Sequence, residues 1–244
     1  MVTTSDVIGT GVLLAYYLGV CFLLPSLLKL REWIPFELVR KMQHIAYSMS
    51  IFLLLHLFSS WYVAIAAAFL LVLVAYPALL LMERFPWYRR LFVDRGRGGE
   101  LRKQLLYVQL SFALLIFVFW GLLGVRWYYV TAVAVMGWGF GDAAAALVGK
   151  AWGRRHIFLP LVESAKTCEG TVAMTLVAAV AFFLTMWLYG GHPWHVSLIV
   201  ALVAAPFAGV VELFSRRGLD TLTVPFTSAC LILPMVILFA HLGW

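Results

Sequence analysis

Eight apolar stretches follow one another along this chain, separated by short polar segments. A helix of about 20 apolar residues crosses the hydrocarbon core of a bilayer. The chain is 64% hydrophobic and 12% charged, whereas soluble domains are about half apolar and a quarter charged. We therefore predict an all-α, polytopic membrane bundle that forms a single domain over 1–244. The eight predicted spans are 7–28, 43–59, 61–82, 105–124, 127–149, 170–189, 196–214 and 225–243.

The positions of the basic residues support the count of eight. In an eight-span arrangement, segments 29–42, 83–104, 150–169 and 215–224 share one side of the membrane. They hold 17 of the 18 Lys and Arg residues, and only Arg126 falls on the other side. Cytoplasmic loops are enriched in Lys and Arg. We therefore expect these four segments to face the cytoplasm and both termini to be extracytoplasmic.

The net charge of +7 is concentrated on that one face. A basic rim attracts anionic lipid headgroups, and it also suits a nucleoside triphosphate. We do not expect nucleic acid as a partner, because the cations are spread over four short segments at helix ends. The first span is too long for the apolar part of a signal peptide and no basic segment precedes it, so we expect it to stay in the protein. Cys21, Cys168 and Cys230 lie in spans or on the cytoplasmic side, where no disulfide is expected.

Asp142 is the most informative polar residue, because it lies inside an apolar span. Placing a carboxylate there costs roughly 2.5–3.5 kcal/mol on insertion scales, so such a group usually has a chemical role. Gly137, Gly139 and Gly141 alternate just before it. Three glycines at this spacing either weaken the helix, so that a broken end presents N–H groups to an anion, or allow a neighbouring helix to pack closely. The sequence leaves both interpretations open.

Polar residues gather in four places, all on the predicted cytoplasmic face: Arg40–His44, Gly141–Arg155, Lys166–Thr171, and Glu212 with Asp220–Pro225. The opposite face has almost no ionisable residue. This asymmetry predicts a site that faces the cytosol.

Some of these residues also have a purely structural interpretation. Glu169 and Asp220 fall at predicted helix starts, where capping or the helix dipole favours an acidic residue. Glu212 falls in the last turn of an apolar helix, where the dipole disfavours an anion. Helix ends therefore do not explain Glu212, and they explain Asp142 even less.

The order of these blocks resembles the polyprenol kinase family, which includes dolichol kinase, phytol kinase and the CTP-dependent diacylglycerol kinase. The matching stretches are Arg40–His44, Gly141–Gly153, Lys166–Thr171 and Asp220–Pro225. The Lys-Thr-x-Glu-Gly block is also similar to one in the CDP-diacylglycerol synthases. Two departures matter: Thr221 stands where these kinases commonly have Asn, and the C-terminal signature of the synthases is absent, which favours phosphorylation over cytidylyl transfer.

The resemblance implies a Mg²⁺-dependent enzyme that transfers the γ-phosphoryl group of CTP, or of a related nucleotide, to a membrane-embedded lipid alcohol. It implies Asp142, Lys166, Asp220 and His44 as catalytic residues, with His44 or Asp220 accepting the hydroxyl proton. The implied metal ligands come from Asp142, Glu212, Asp220 and Glu169. The implied nucleotide- and phosphate-binding residues are Arg40, Lys41, Lys150, Arg154, Arg155, Lys166, Thr167 and Gly170.

Two other classes remain open at this point. A cytidylyltransferase would form a CDP-lipid from related substrates and release pyrophosphate. An ion-coupled transporter would use Asp142 as its ion site, but it would need polar residues toward both faces, and this chain has them on one. The residues do not distinguish among lipid alcohols, nor between CTP and ATP.

Overall fold

The computed structural model describes residues 3–31, 33–88, 92, 99–159, 162–163, 165–216 and 218–243. Within these ranges the regular structure is helical, apart from one isolated β-bridge between His156 and Thr167. The all-α prediction is confirmed for these residues. The long helices are α1 (Thr4–Lys29), α2 (Phe36–His56), α3 (Trp61–Met82), α4 (Glu100–Leu115, continued by a π-helical segment Ile116–Leu122), α5 (Tyr128–Trp152), α6 (Cys168–Leu184, continued by a π-helical segment Thr185–Tyr189), α7 (Trp194–Phe214) and α8 (Asp220–His241).

Seven of these helices are long and apolar enough to cross a membrane, and the chain is an integral membrane protein. The exception among the eight is α2. It has 21 residues, as many as α7, but its first half carries Glu37, Arg40, Lys41, Gln43 and His44. Whether α2 also crosses, and on which side each terminus lies, stays a prediction from the basic residues.

Three helix starts differ from the predicted spans by five residues or more, and one of them is that of α4, which begins at Glu100 rather than at 105. Helix α2 begins at Phe36 rather than at 43, and α8 begins at Asp220 rather than at 225, with Pro225 inside the helix. A span predicted from apolar sequence ends at the first charged residues, whereas the backbone hydrogen bonds of the helix continue through them. The polar residues of both segments therefore lie on helices rather than in loops.

The chain divides into two compact units, Met1–Phe117 and Val118–Trp244. In the first unit, α1, α2 and α4 share a buried polar network. The hydroxyl groups of Tyr17 and Ser50 are 2.8 Å apart, the Gln109 amide donates to Tyr17, and the Gln43 amide donates to the carbonyl oxygen of Cys21 at 2.7 Å. All are at most 1% exposed. Polar groups in an apolar core need such partners, so this network fixes how α1, α2 and α4 pack.

In the second unit the four helices contact one another in a ring, α5 with α6, α6 with α7, α7 with α8 and α8 with α5. One end of the ring collects the end of α5, the start of α6, the end of α7 and the start of α8. We call it the charged end, because the five acidic residues of this unit are Asp142, Glu163, Glu169, Glu212 and Asp220, all in these segments. The other end, which holds the start of α5 and the segment 190–193, is the aromatic end.

The uncertain span, α2, can be tested with single cysteines on either side of it. We expect cysteines at Trp33 and His56, both exposed, to be labelled from opposite sides of sealed vesicles once the three native cysteines are replaced. Cysteines at Lys103 and Trp194 supply the reference for the two sides, because three helices separate them. Labelling of both positions from the same side would mean that α2 does not cross the membrane. The protein would then have seven spans, and its two termini would lie on opposite sides.

Candidate functional site

Helices α5 and α6 approach each other closely along glycines. A Cβ built on Gly137 would lie 1.9 Å from Cε1 of Phe182, and one on Gly141 would lie 2.5 Å from Sδ of Met174. Helix α5 continues unbroken through these glycines. Of the two interpretations of the glycine pattern, close packing is confirmed for Gly137 and Gly141, and the broken helix end is wrong. The reason is that the contact with α6 supports the helix where its intrinsic propensity is weak.

Asp142 follows this contact directly and is 8% exposed. It lies ten residues before the end of α5 at Trp152, which corresponds to about 15 Å along the helix axis. The predicted span ends at 149, whereas α5 continues to Trp152. Asp142 therefore lies farther from the end of its helix than the predicted span implies. The carboxylate is therefore held on a continuous helix, farther from the end of α5 than the exposed cations of the charged end.

Two of the predicted blocks lie side by side beyond the end of α5. The N–H of Ile157 donates to the carbonyl oxygen of Lys166 at 3.0 Å, and the N–H of Cys168 donates to that of Arg155 at 2.9 Å. Between them lies the bridge of His156 with Thr167. This antiparallel pairing joins the basic segment after α5 to the segment that starts α6. The side chains of Arg154, Arg155 and Lys150 are exposed next to it.

The start of α6 is tied to the same segment. Thr167 is the N-cap, and its Oγ1 accepts the Gly170 N–H at 3.1 Å. A Cβ on Gly170 would lie 2.9 Å from the carbonyl oxygen of Ala145, so only glycine allows α6 to begin this close to α5. Glu169, in the first turn, accepts the Arg155 N–H at 3.3 Å. The first turn of α6 thus helps to hold the basic segment in place.

Lys166 and Glu212 form an ion pair. Lys166 Nζ lies 2.6 Å from Oε1 of Glu212 and also donates to the Glu212 carbonyl oxygen. Their side chains are 16% and 8% exposed. Glu212 lies in the last turn of α7, where the dipole favours a cation, so Lys166 compensates both the carboxylate and the helix end. The resemblance implied separate roles for these two residues, phosphate binding for Lys166 and metal binding for Glu212. The structure shows that they contact each other.

Asp220 is the first residue of α8 and is half-buried. The N-cap position belongs to Leu219, and no side chain caps this helix. Asp220 therefore lies in the first turn, where the dipole favours it, and not at the cap. The turn before it is held by the hydroxyl groups of Ser215 and Thr223, which are 2.6 Å apart. Helix α7 ends at Phe214, two residues after Glu212.

The first unit holds the remaining predicted residues together on α2. Arg40 donates through Nε to Glu37 at 3.0 Å. Lys41 and His44 are 3% and 4% exposed and share a helix face, as three-residue spacing predicts. Gln104 of α4 places its Nε2 3.3 Å from Nδ1 of His44. The roles implied for Arg40, Lys41 and His44 stay predictions.

A comparison with curated proteins links the whole chain to one enzyme. It is 34% identical to a phytol kinase from Synechocystis sp. over 222 residues, which cover 89% of this chain and 87% of that protein. The chain belongs to the polyprenol kinase family. This polyprenol kinase homologue is a lipid kinase, and the resemblance read from its four blocks is confirmed at the level of the family. No family sequence model and no solved structure matches the chain.

The carboxylates of this polyprenol kinase homologue do not gather into a preformed metal cage. Among the residues that the structure describes, no group of three or more His, Cys, Asp or Glu side chains could hold a metal ion. Mg²⁺ usually takes one or two protein carboxylates, with waters and substrate phosphates completing its octahedron. Carboxylates are donors of the kind that Mg²⁺ takes, and the ligand roles of Asp142, Glu212, Asp220 and Glu169 stay predictions.

Sequence reasoning missed two partners. Glu37 could have been found, because it precedes Arg40 by three residues and such pairs meet on a helix surface. Gln104 could not, because it contacts His44 across 60 residues of sequence. The pairing of Lys166 with Glu212 could not have been found either, because these residues are 46 positions apart in the sequence.

Proposed function

We propose that this enzyme transfers the γ-phosphoryl group of a nucleoside triphosphate, with CTP favoured, to the hydroxyl group of a membrane-embedded isoprenoid alcohol such as phytol or a polyprenol. The observation that carries the proposal is the 34% identity to a phytol kinase along nearly the whole chain. The charged end of the second unit supports it. There the basic segment after α5 pairs with the segment that starts α6, next to the helix that carries the buried Asp142. We propose that this end faces the cytoplasm, where nucleotides are.

The reaction breaks the bond between the γ-phosphorus and the β–γ bridging oxygen and forms a bond from that phosphorus to the alcohol oxygen. The nucleoside diphosphate leaves, and the alcohol proton passes to a base. Catalysis of this step rests on positioning and charge neutralisation more than on covalent chemistry. The charged end provides for both, because its cations and carboxylates are held by helix starts and ends.

The basic residues of the paired segments bind the triphosphate in this proposal. Arg154 and Arg155 project exposed guanidinium groups, which bind phosphate oxygens in pairs. Lys150 adds a cation in the last turn of α5. Lys166, already desolvated beside Glu212, contributes a charge that acts more strongly than one in water. The start of α6, with Thr167 and Gly170, lies beside these cations, and the positive end of its helix dipole favours an anion there.

Asp142 and Asp220 are the carboxylates that would hold Mg²⁺, with Glu212 and Glu169 as the further candidates. The ion neutralises charge on the transferring phosphoryl group when it is bound with the nucleotide. In this proposal His44 or Asp220, which is half-buried in the first turn of α8, takes the proton of the alcohol. The isoprenoid chain stays among lipid-facing helices while its hydroxyl group reaches the charged end.

Product analysis tests the proposal directly. Purified protein in lipid nanodiscs is given CTP or ATP labelled at the γ-phosphate, Mg²⁺ and a panel of lipid alcohols that includes phytol, a polyprenol and diacylglycerol. We expect label in a lipid monophosphate, together with stoichiometric nucleoside diphosphate. Release of pyrophosphate with a lipid phosphate as substrate would instead identify a cytidylyltransferase. Label in diacylglycerol alone would reject an isoprenoid alcohol as substrate.

The carboxylate of Asp142 is predicted to be essential. Asp142→Asn keeps the side-chain shape and removes the charge, and metal stabilisation of the transition state is worth several kcal/mol. We expect turnover to fall at least about a hundredfold, with the melting temperature unchanged or raised, because a buried carboxylate is costly. Glu163→Gln is the matched control, since Glu163 is an exposed acid of the same unit. Near-normal turnover in Asp142→Asn would remove the residue from the mechanism.

Lys166 is predicted to act on the nucleotide as well as on Glu212. Lys166→Met should raise the KM for nucleotide by one to two orders of magnitude, since a charge-assisted phosphate contact is worth roughly 1.5–3 kcal/mol. The KM for the lipid alcohol should change little, and Lys103→Met is the exposed control. Adding Glu212→Gln removes the carboxylate that has lost its Lys166 partner and should restore the melting temperature but not the nucleotide KM. Restoration of both would mean that Lys166 serves Glu212 alone.

A further inference from the structure

A cavity of about 250 Å³ lies at the aromatic end of the second unit. Its polar wall is formed by Arg126 and Trp127 before α5, Tyr129 in α5 and His192 between α6 and α7. Val236 and Phe239 of α8 are among the apolar residues that complete it. None of these residues belongs to the charged end, so this cavity is separate from the proposed kinase site.

Arg126 is the cation of this cavity, and no carboxylate of its unit lies near. It is the one Lys or Arg that the eight-span arrangement leaves on this side. The five acidic residues of the unit belong to the charged end, and Asp142, the nearest along α5, lies 16 residues away, or about 24 Å along a helix. The guanidinium group lies 5.0 Å from the centre of the Trp127 ring. That contact orients the cation without supplying a negative charge.

The rest of the wall offers hydrogen bonds without charge. His192 Nε2 lies 2.8 Å from the Tyr129 hydroxyl oxygen. Burial lowers the pKa of His192, so the imidazole is neutral at pH 7. The cavity therefore combines one fixed positive charge, a neutral polar pair and apolar side chains below them. A ligand whose anionic group is joined to an apolar body would place the anion against the positive charge and the polar pair. Its apolar body would then lie against the apolar side chains.

The position in the membrane selects the kind of anion. Trp127, Tyr129, Tyr189 and Trp194 lie at this end, and Trp and Tyr concentrate where lipid headgroups meet the hydrocarbon core. An arginine at this level presents paired donors that match the phosphate of a lipid headgroup. We propose that this cavity binds an anionic phospholipid, with its phosphate on Arg126 and its glycerol and first acyl carbons against Val236 and Phe239.

The test counts tightly held lipids by native mass spectrometry of the purified full chain in neutral detergent. Phosphatidylglycerol is added, with phosphatidylcholine as the uncharged comparison. We expect the wild type to retain one more phosphatidylglycerol than Arg126→Gln, whose affinity for that lipid should fall about tenfold or more. Arg126→Lys should retain part of it, because the charge remains without the paired donors.

Two controls separate this site from the general attraction of a basic protein for anionic lipid. Arg31→Gln removes an exposed cation elsewhere and should leave the retained lipid unchanged, whereas Tyr129→Phe should weaken it with the fold intact. Equal losses in Arg126→Gln and Arg31→Gln would overturn the proposal. So would binding of inorganic phosphate or glycerol 3-phosphate as tightly as the lipid, since the apolar wall would then contribute nothing. If Arg126→Gln does not fold, Arg126→Lys and Tyr129→Phe decide, and wild-type retention in both would reject the site.

Discussion

The close contact of α5 with α6 is the interaction on which the second unit depends. Helices in a bilayer gain little from burying apolar surface against one another, so they associate through van der Waals contact and hydrogen bonds. Gly137 and Gly141 remove the side chains that would hold α6 away, and Gly170 allows the start of α6 to reach α5. This contact brings the basic segment after α5 against the start of α6. Two of the four predicted blocks, Gly141–Arg155 and Lys166–Thr171, are therefore brought together by contacts that these glycines allow.

Charge is arranged on this frame in two ways. Lys166 and Glu212 neutralise each other in a shielded position, and a buried pair of this kind is sensitive to the loss of either member. Arg154 and Arg155 remain exposed on the paired segment, where water and a soluble ligand reach them. In the proposed mechanism, a triphosphate that approaches the charged end would meet the exposed cations first. It would bind Lys166 only by competing with the Glu212 carboxylate for that cation.

The fold class and the positions of the helices could be predicted from the sequence, because long apolar stretches and basic loops leave few alternatives in a membrane. The four polar blocks could be found for the same reason, since each interrupts an apolar pattern. What could not be predicted is which polar residues meet. The pairing of Lys166 with Glu212 and the contact of Gln104 with His44 join distant parts of the chain. The start of α2 at Phe36 was also missed, because charged residues in its first turns interrupt the apolar pattern from which spans are predicted.

Polarity changes along α5 in the same way that it differs between the two substrates proposed for this lipid kinase. A nucleotide is soluble and highly charged, whereas an isoprenoid alcohol is apolar except for one hydroxyl group. Asp142 lies about 15 Å along α5 from its end, below the exposed cations and within apolar sequence. A carboxylate at that depth is within reach of a hydroxyl group whose chain remains in the bilayer, while the cations above it remain in water. The gradient of polarity along α5 therefore allows a reaction between molecules that dissolve in different phases.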